Sequence, residues 1–214
     1  MLHLDCSHGV SGDMLVGALI DLGADFKPMK ETLSGIAKLS LRQVTKAGIQ
    51  AKKFDVKFVS DSRSYTELLK EIDDLDISNQ AKTLSKKILH SLAMAESRVH
   101  KTPLEQVHLH EARDSIVDAV AFSMALEGLG LLESQISYSM ISIGTIAPAT
   151  HDIIKNNSFP TKFLIDKEIA TPTGMAILAA VANEFSNISP GGRSGHGAGT
   201  MDLPHPNVLK ATLL

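Results

Sequence analysis

The sequence predicts a mixed α/β fold, with helices packed on a β-sheet in a single domain spanning residues 1–214. Three features predict it. A short apolar run, Leu2 to Cys6, feeds through a Ser/Gly loop into a helical pattern. Phe54, Val56 and Phe58 alternate with Asp55 and Lys57, the period of a half-buried strand. Several later stretches place apolar residues three and four apart, as a core-facing helix does.

The elements follow in order. After the first strand, Met14, Leu15, Ala18, Leu19 and Leu22 mark a helix over 13–22 that Gly23 stops. A second helix is predicted over 27–38. A hairpin of 41–47 and 49–59 turns at Ala47-Gly48, and the lysines Lys52, Lys53 and Lys57 within it are expected on a solvated strand face. From Asn79 to Val99, Ala81, Leu84, Ile88, Leu92, Ala95 and Val99 form one stripe. Beyond Pro103 comes the extended run Val107-His108-Leu109-His110, then a helix from Asp114 to about Leu129. That helix is apolar on most sides and belongs in the core. Ile136 to Ile143 reads as a buried strand. A helix over 172–184 starts cleanly, since Thr171 can cap it and Pro172 suits its first position. The five glycines of 191–199 read as a loop, either mobile or open to close approach by a ligand. Residues 207–214 close the chain as a strand.

The bulk properties narrow the function. A chain of 214 residues can bury roughly 70% of its unfolded surface without staples. The net charge of -3 argues against a nucleic-acid binder, which concentrates basic residues on one face. The single cysteine, Cys6, cannot form an internal disulfide. With no secretory signal and no span-length apolar run, a cytoplasmic location without membrane contact is expected.

Four segments could carry chemistry. Asp5, Ser11, Gly12 and Asp13 flank a strand-to-helix loop whose free N–H groups suit a phosphate, though a plain tight turn uses the same residues. His108, His110 and Glu111 precede Asp114 and Asp118. Imidazoles two apart on an extended segment face one way, and carboxylates four apart share a helix face, a ligand set suited to Ni, Zn, Fe or Mn. The competing reading has histidines capping a buried helix. An aspartate at 118 amid apolar neighbours is costly unless paired. Thr171 and Thr173 offer two hydroxyls at a helix start. Arg193 could neutralise phosphate from within the glycine-dense segment.

Taken together, the segments resemble the LarC-type nickel insertion proteins, which make the nickel-pincer cofactor. The matching pieces are Asp5-Cys6 with Gly9-Val10-Ser11-Gly12-Asp13-Met14, and His108-Leu109-His110-Glu111 with Asp114-Ser115-Ile116-Val117-Asp118. They continue with Ile169-Ala170-Thr171-Pro172-Thr173-Gly174, Gly195-His196-Gly197-Ala198-Gly199-Thr200 and Pro206-Asn207-Val208-Leu209, in the family's order. The resemblance implies a CTP-dependent nickel chelatase of the lyase type, acting on pyridinium-3,5-bisthiocarboxylic acid mononucleotide. On that reading His108, His110, Asp114 and Asp118 handle the metal, and Asp5, Asp13 and Glu111 are catalytic. Ser11, Gly12, Thr171, Thr173 and Arg193 bind the phosphorylated pyridinium substrate.

The chain also departs from the family. Ala112-Arg113 is a short link, Gly144 to Thr150 lacks a His-Gly and Pro-rich insert, and Ser62 to Tyr65 is poor in histidine. The family's C-terminal domain, associated with CTP, is expected to be absent. CTP and Mg or Mn would then enter only with a separate chain supplying that domain, and a homo-oligomer is expected. Two rivals stand beside the insertase: a non-catalytic metal- or nucleotide-binding homologue acting with another polypeptide, and a metal-dependent phosphohydrolase.

Overall fold

The structure, a computed structural model, describes residues 1–57, 62–109, 112–187 and 191–214. His110 and Glu111, and the end of the predicted hairpin at Phe58 and Val59, lie outside the described residues. The chain opens with β1 (Leu2–Asp5), α1 (Gly12–Asp21), α2 (Phe26–Thr32) and the hairpin β2 (Lys38–Lys46) and β3 (Ile49–Lys57). Next come β4 (Arg63–Ser64), α3 (Tyr65–Asp74), α4 (Asn79–His100), β5 (His108–Leu109) and α5 (Ala112–Gly128). The second half holds β6 (Ile136–Tyr138), β7 (Ile141–Ile143), α6 (Pro148–Asn157) and β8 (Thr161–Phe163). It ends with α7 (Pro172–Val181), β9 (Glu184–Phe185), β10 (Arg193–Ala198) and β11 (Val208–Leu213).

Seven strands form one mixed sheet in the order β2-β3-β10-β11-β1-β6-β9, so the predicted α/β class holds. β11 lies antiparallel to both β1 and β10, whereas β6 runs parallel to β1. Helix α1 packs on β10, β3 and β11, α5 packs on α1, and α4 contacts α5, α6 and α7. Most of one continuous apolar core fills the space between these elements, with Leu2, Leu4, Leu15, Leu19, Val117, Val120 and Ile177 fully buried.

The glycine-dense segment is a sheet strand rather than a loop. β10 pairs with β11 from Arg193↔Leu213 to Ala198↔Val208, in the interior of the sheet. Its glycines serve helix packing. A Cβ at Gly197 would sit 2.6 Å from the backbone nitrogen of Ala18, and one at Gly195 would sit 2.5 Å from that of Leu22. Helix α1 therefore crosses β10 at backbone contact. The Asp21 carboxylate secures the crossing by accepting the His196 amide at 2.9 Å. Gly197→Ala is expected to lower unfolding free energy by roughly 1–3 kcal/mol, because neither backbone can yield. Urea denaturation measures this, and an unchanged midpoint would contradict the close crossing.

Other predictions need adjustment. The second helix ends at Thr32 rather than residue 38, with Gly35 interrupting and β2 already begun at Lys38. The single strand predicted over 136–143 is two strands in different sheets, because the chain breaks at Ser139. There Ser139 binds the segment leaving β1: its amide donates to the Leu4 carbonyl and its hydroxyl accepts the Cys6 amide. Helices α3 and α6 lie outside the predicted elements. Ser64 and Glu67 form a capping box for α3, and Pro148 occupies the first turn of α6; both signals stand in the sequence. No helix among the described residues is long and apolar enough to cross a membrane.

Candidate functional site

Three helix N-termini meet at one cleft. The amide of Val10 donates to Ile169 at 2.8 Å and the amide of Thr171 donates to Val10 at 2.9 Å. These two bonds hold the starts of α1 and α7 side by side. Gly174 permits the approach, since a Cβ there would stand 2.7 Å from the Ser11 Cα. Thr171 caps α7 by accepting the Gly174 amide at 3.2 Å. The third terminus belongs to α5, whose Ser115 hydroxyl lies 3.4 Å from that of Thr173. Asp118, one turn further along α5, presses its carboxylate against the Cα of Gly12, leaving no room for a side chain there.

The cleft measures about 420 Å³, a size suited to a small molecule. Its walls carry Ser11, Gly12, Asp13, Asp114, Ser115, Asp118, Thr171 and Thr173, together with Lys53, Asp55, Glu96, Glu168 and Thr200. Six of these described wall residues are acidic, against one lysine. Asp13 is fully engaged: the Ser11 hydroxyl and the Met14 amide donate to one oxygen, and the Lys53 ammonium pairs with the other. Lys53 also donates to Thr200 at 2.8 Å. Asp55 is held by Nε and Nη2 of Arg42, at 2.6 and 3.0 Å, and these hydrogen bonds keep its carboxyl below the usual range although burial opposes them.

Asp118 differs from all of these. It is 3% exposed, and its Oδ1 has no hydrogen-bond partner. Burial pushes its carboxyl well above the ordinary range; the nearby Asp114 and Asp13 push the same way, and Lys53 opposes them. A buried, unpartnered carboxylate facing a cleft is an acceptor awaiting a cation or a donor.

Of the residues singled out from sequence, Ser11, Gly12, Asp13, Asp114, Asp118, Thr171 and Thr173 come together here. Asp5 lies elsewhere, lining a second cavity of about 370 Å³ with His3, Ser7, Ser139 and Lys162. Burial raises the Asp5 carboxyl, but hydrogen bonds from Ser7 and Ser139 and the neighbouring His8 together hold it below its ordinary value. Arg193 is exposed at the other end of β10 from Thr200, level with Leu213 and Leu2. His108 is exposed, whereas its neighbour Leu109 is buried and lines the cleft. Lys53 corrects the expectation of a solvated lysine face: it is 5% exposed, with its ammonium inside the cleft. Its aliphatic stem explains how a strand lysine can be buried while its charge stays paired. Among the described residues, no group of three or more His, Cys, Asp and Glu side chains is arranged to hold a metal ion.

The frame is thus a mixed α/β protein in which three helix N-termini and several carboxylates surround one cleft of small-molecule size. Comparison with known proteins places it more closely. The family model for nickel insertion proteins matches residues 2–214, and the chain belongs to that family. It is 34% identical over 230 residues to the pyridinium-3,5-bisthiocarboxylic acid mononucleotide nickel insertion protein of Staphylococcus saprophyticus, covering 98% of this chain and 59% of that one. Proteins of the same name from Alkaliphilus metalliredigens and Geobacillus kaustophilus are 33% and 36% identical, each covering 100% of this chain, and 60% and 59% of their own lengths. The chain thus spans about three fifths of the curated relatives it matches. No solved structure matches it with significance.

Proposed function

We propose that this chain binds pyridinium-3,5-bisthiocarboxylic acid mononucleotide in the cleft and takes part in placing nickel between its sulfur atoms. The observation that carries this reading is the unpartnered Asp118 carboxylate at the junction of three helix N-termini. The substrate's phosphate would sit at the starts of α1 and α7, against Ser11, Gly12, Thr171 and Thr173. Asp114 and Asp118, with His110 and Glu111 from the adjoining sequence, would hold nickel as cargo before transfer. Oxygen and imidazole donors release nickel to softer thiocarboxylate sulfur, so the transfer runs downhill in ligand preference. Lys53 balances the acidic wall and keeps Asp13 turned toward it. His108, Arg193 and Asp5 stand outside this arrangement. CTP, with Mg or Mn, would be handled by the region that the relatives carry beyond the part matched here, and the working assembly would be a homo-oligomer.

A single-turnover assay tests the reading. The chain is mixed with nickel, CTP, Mg²⁺ and the pyridinium mononucleotide, with and without the C-terminal two fifths of the Staphylococcus saprophyticus relative. Appearance of the nickel–sulfur charge-transfer band in the complete mixture is expected. Its absence there, with the full-length relative active alongside, would refute the proposal.

A further inference from the structure

We propose that His8 and His205 form a two-imidazole site for a late first-row divalent ion such as Ni²⁺, Co²⁺, Cu²⁺ or Zn²⁺, separate from the cleft. His8 lies in the loop between β1 and α1, and His205 in the loop between β10 and β11. Their ring centres are 5.8 Å apart with planes 25° from parallel. A metal–nitrogen bond of about 2.0–2.1 Å puts each ring centre about 3.2 Å from the ion. Two rings sharing one ion at tetrahedral to linear angles therefore stand roughly 5.2–6.4 Å apart. The observed spacing falls inside that window.

The nitrogen chemistry fits as well. Nε2 of His205 is buried and has no hydrogen-bond partner, an orphan that a metal would satisfy. Nδ1 of His8 lies 3.3 Å from the Ser7 hydroxyl, which leaves its other nitrogen for the ion. A metal-bound histidine is commonly oriented in this way through its second nitrogen. Ser7 is itself fixed, because its amide donates to Asp5 at 3.0 Å and its carbonyl accepts the Ser142 hydroxyl at 2.6 Å. The loop carrying His205 is closed by the Gly199 amide on Asn207 at 2.9 Å and the Asn207 side chain on Met201 at 3.0 Å. Both imidazoles are thus presented from braced loops. Among nearby charges acting on His8, Asp5 favours a cation and Lys162 opposes one.

The same two loops carry Ser11 and Thr200 of the cleft, so an ion on the pair would tie the cleft's walls together. The inference does not rest on the nickel insertion reading, and it fails or stands by direct metal binding. Copper titrated into the purified chain and followed by electron paramagnetic resonance should show a site with two nitrogen donors. His8→Ala and His205→Ala should each reduce it to at most one nitrogen and weaken binding at least tenfold. Copper held in the cleft by Asp114, Asp118 and His110 would show at most one nitrogen donor. Binding within threefold of wild type in either variant would overturn the pair. Because alanine at either position could loosen its loop, imidazole NMR of the wild-type protein under Zn²⁺ supplies a second reading. Both rings should shift together, and a shift of only one, or of neither, would overturn the proposal.

Discussion

Replacing Lys53 with methionine is expected to destabilise the protein by about 3–4 kcal/mol, measured by urea denaturation at neutral pH. Removing one partner of a buried ion pair typically costs about 3–5 kcal/mol, because the other charge is left in place without compensation. The low end applies here, since the Asp13 side chain keeps 20% of its exposure and water can reach it in part. Thr200 loses its donor as well, and the acidic wall loses the one lysine described in it. Methionine preserves the aliphatic stem, so the loss reports the charge rather than a cavity. A change below about 0.5 kcal/mol would show that Lys53 is solvated after all.

Asp118→Asn is expected to act in opposite directions on stability and on binding. The native carboxyl is raised above its unfolded value, chiefly by burial and further by Asp114 and Asp13. Between the unfolded and folded values, the native state holds more protons than the unfolded chain, so stability falls as pH rises. The penalty is absent below the unfolded value near pH 4 and complete above the folded one. Asparagine keeps the shape without the ionisation. The variant should therefore gain stability relative to the wild type as pH rises from about 4, read as a widening difference in melting temperature between the two proteins. Cation binding in the cleft should fall at least tenfold in the same variant. A residue that lowers stability while serving a ligand is a common compromise at functional sites. Parallel pH profiles for the two proteins would refute the burial argument.

Much of this architecture was legible because local and global signals agree. Thr171-Pro172 marks the start of α7, Met14 to Leu22 gives α1 its periodicity, and the apolar run around Val117 predicts a core helix. Asp118 stood out for the opposite reason, as a charge amid apolar neighbours whose cost demanded an explanation. What stayed hidden depends on contacts between distant segments. Glycine is a poor strand former, so β10 reads as a loop in the sequence, and the reason for its glycines lies in α1, which crosses the strand at backbone contact. Lys53 obeyed the alternation of an exposed strand face, and only the position of Asp13, forty residues earlier, draws its ammonium inward. Arg193 and Thr200 are close in sequence, yet an extended strand of six residues holds them at opposite ends of the sheet.

Chemical-shift mapping with the unmetallated pyridinium mononucleotide on isotopically labelled protein tests the central claim most directly. The largest amide shifts should fall on Gly12, Asp13, Thr173 and Gly174 at the two helix starts, with Ser115 following. Shifts confined to the sheet end bearing Arg193, or to the cavity bearing Asp5, with those five amides unmoved, would contradict the account.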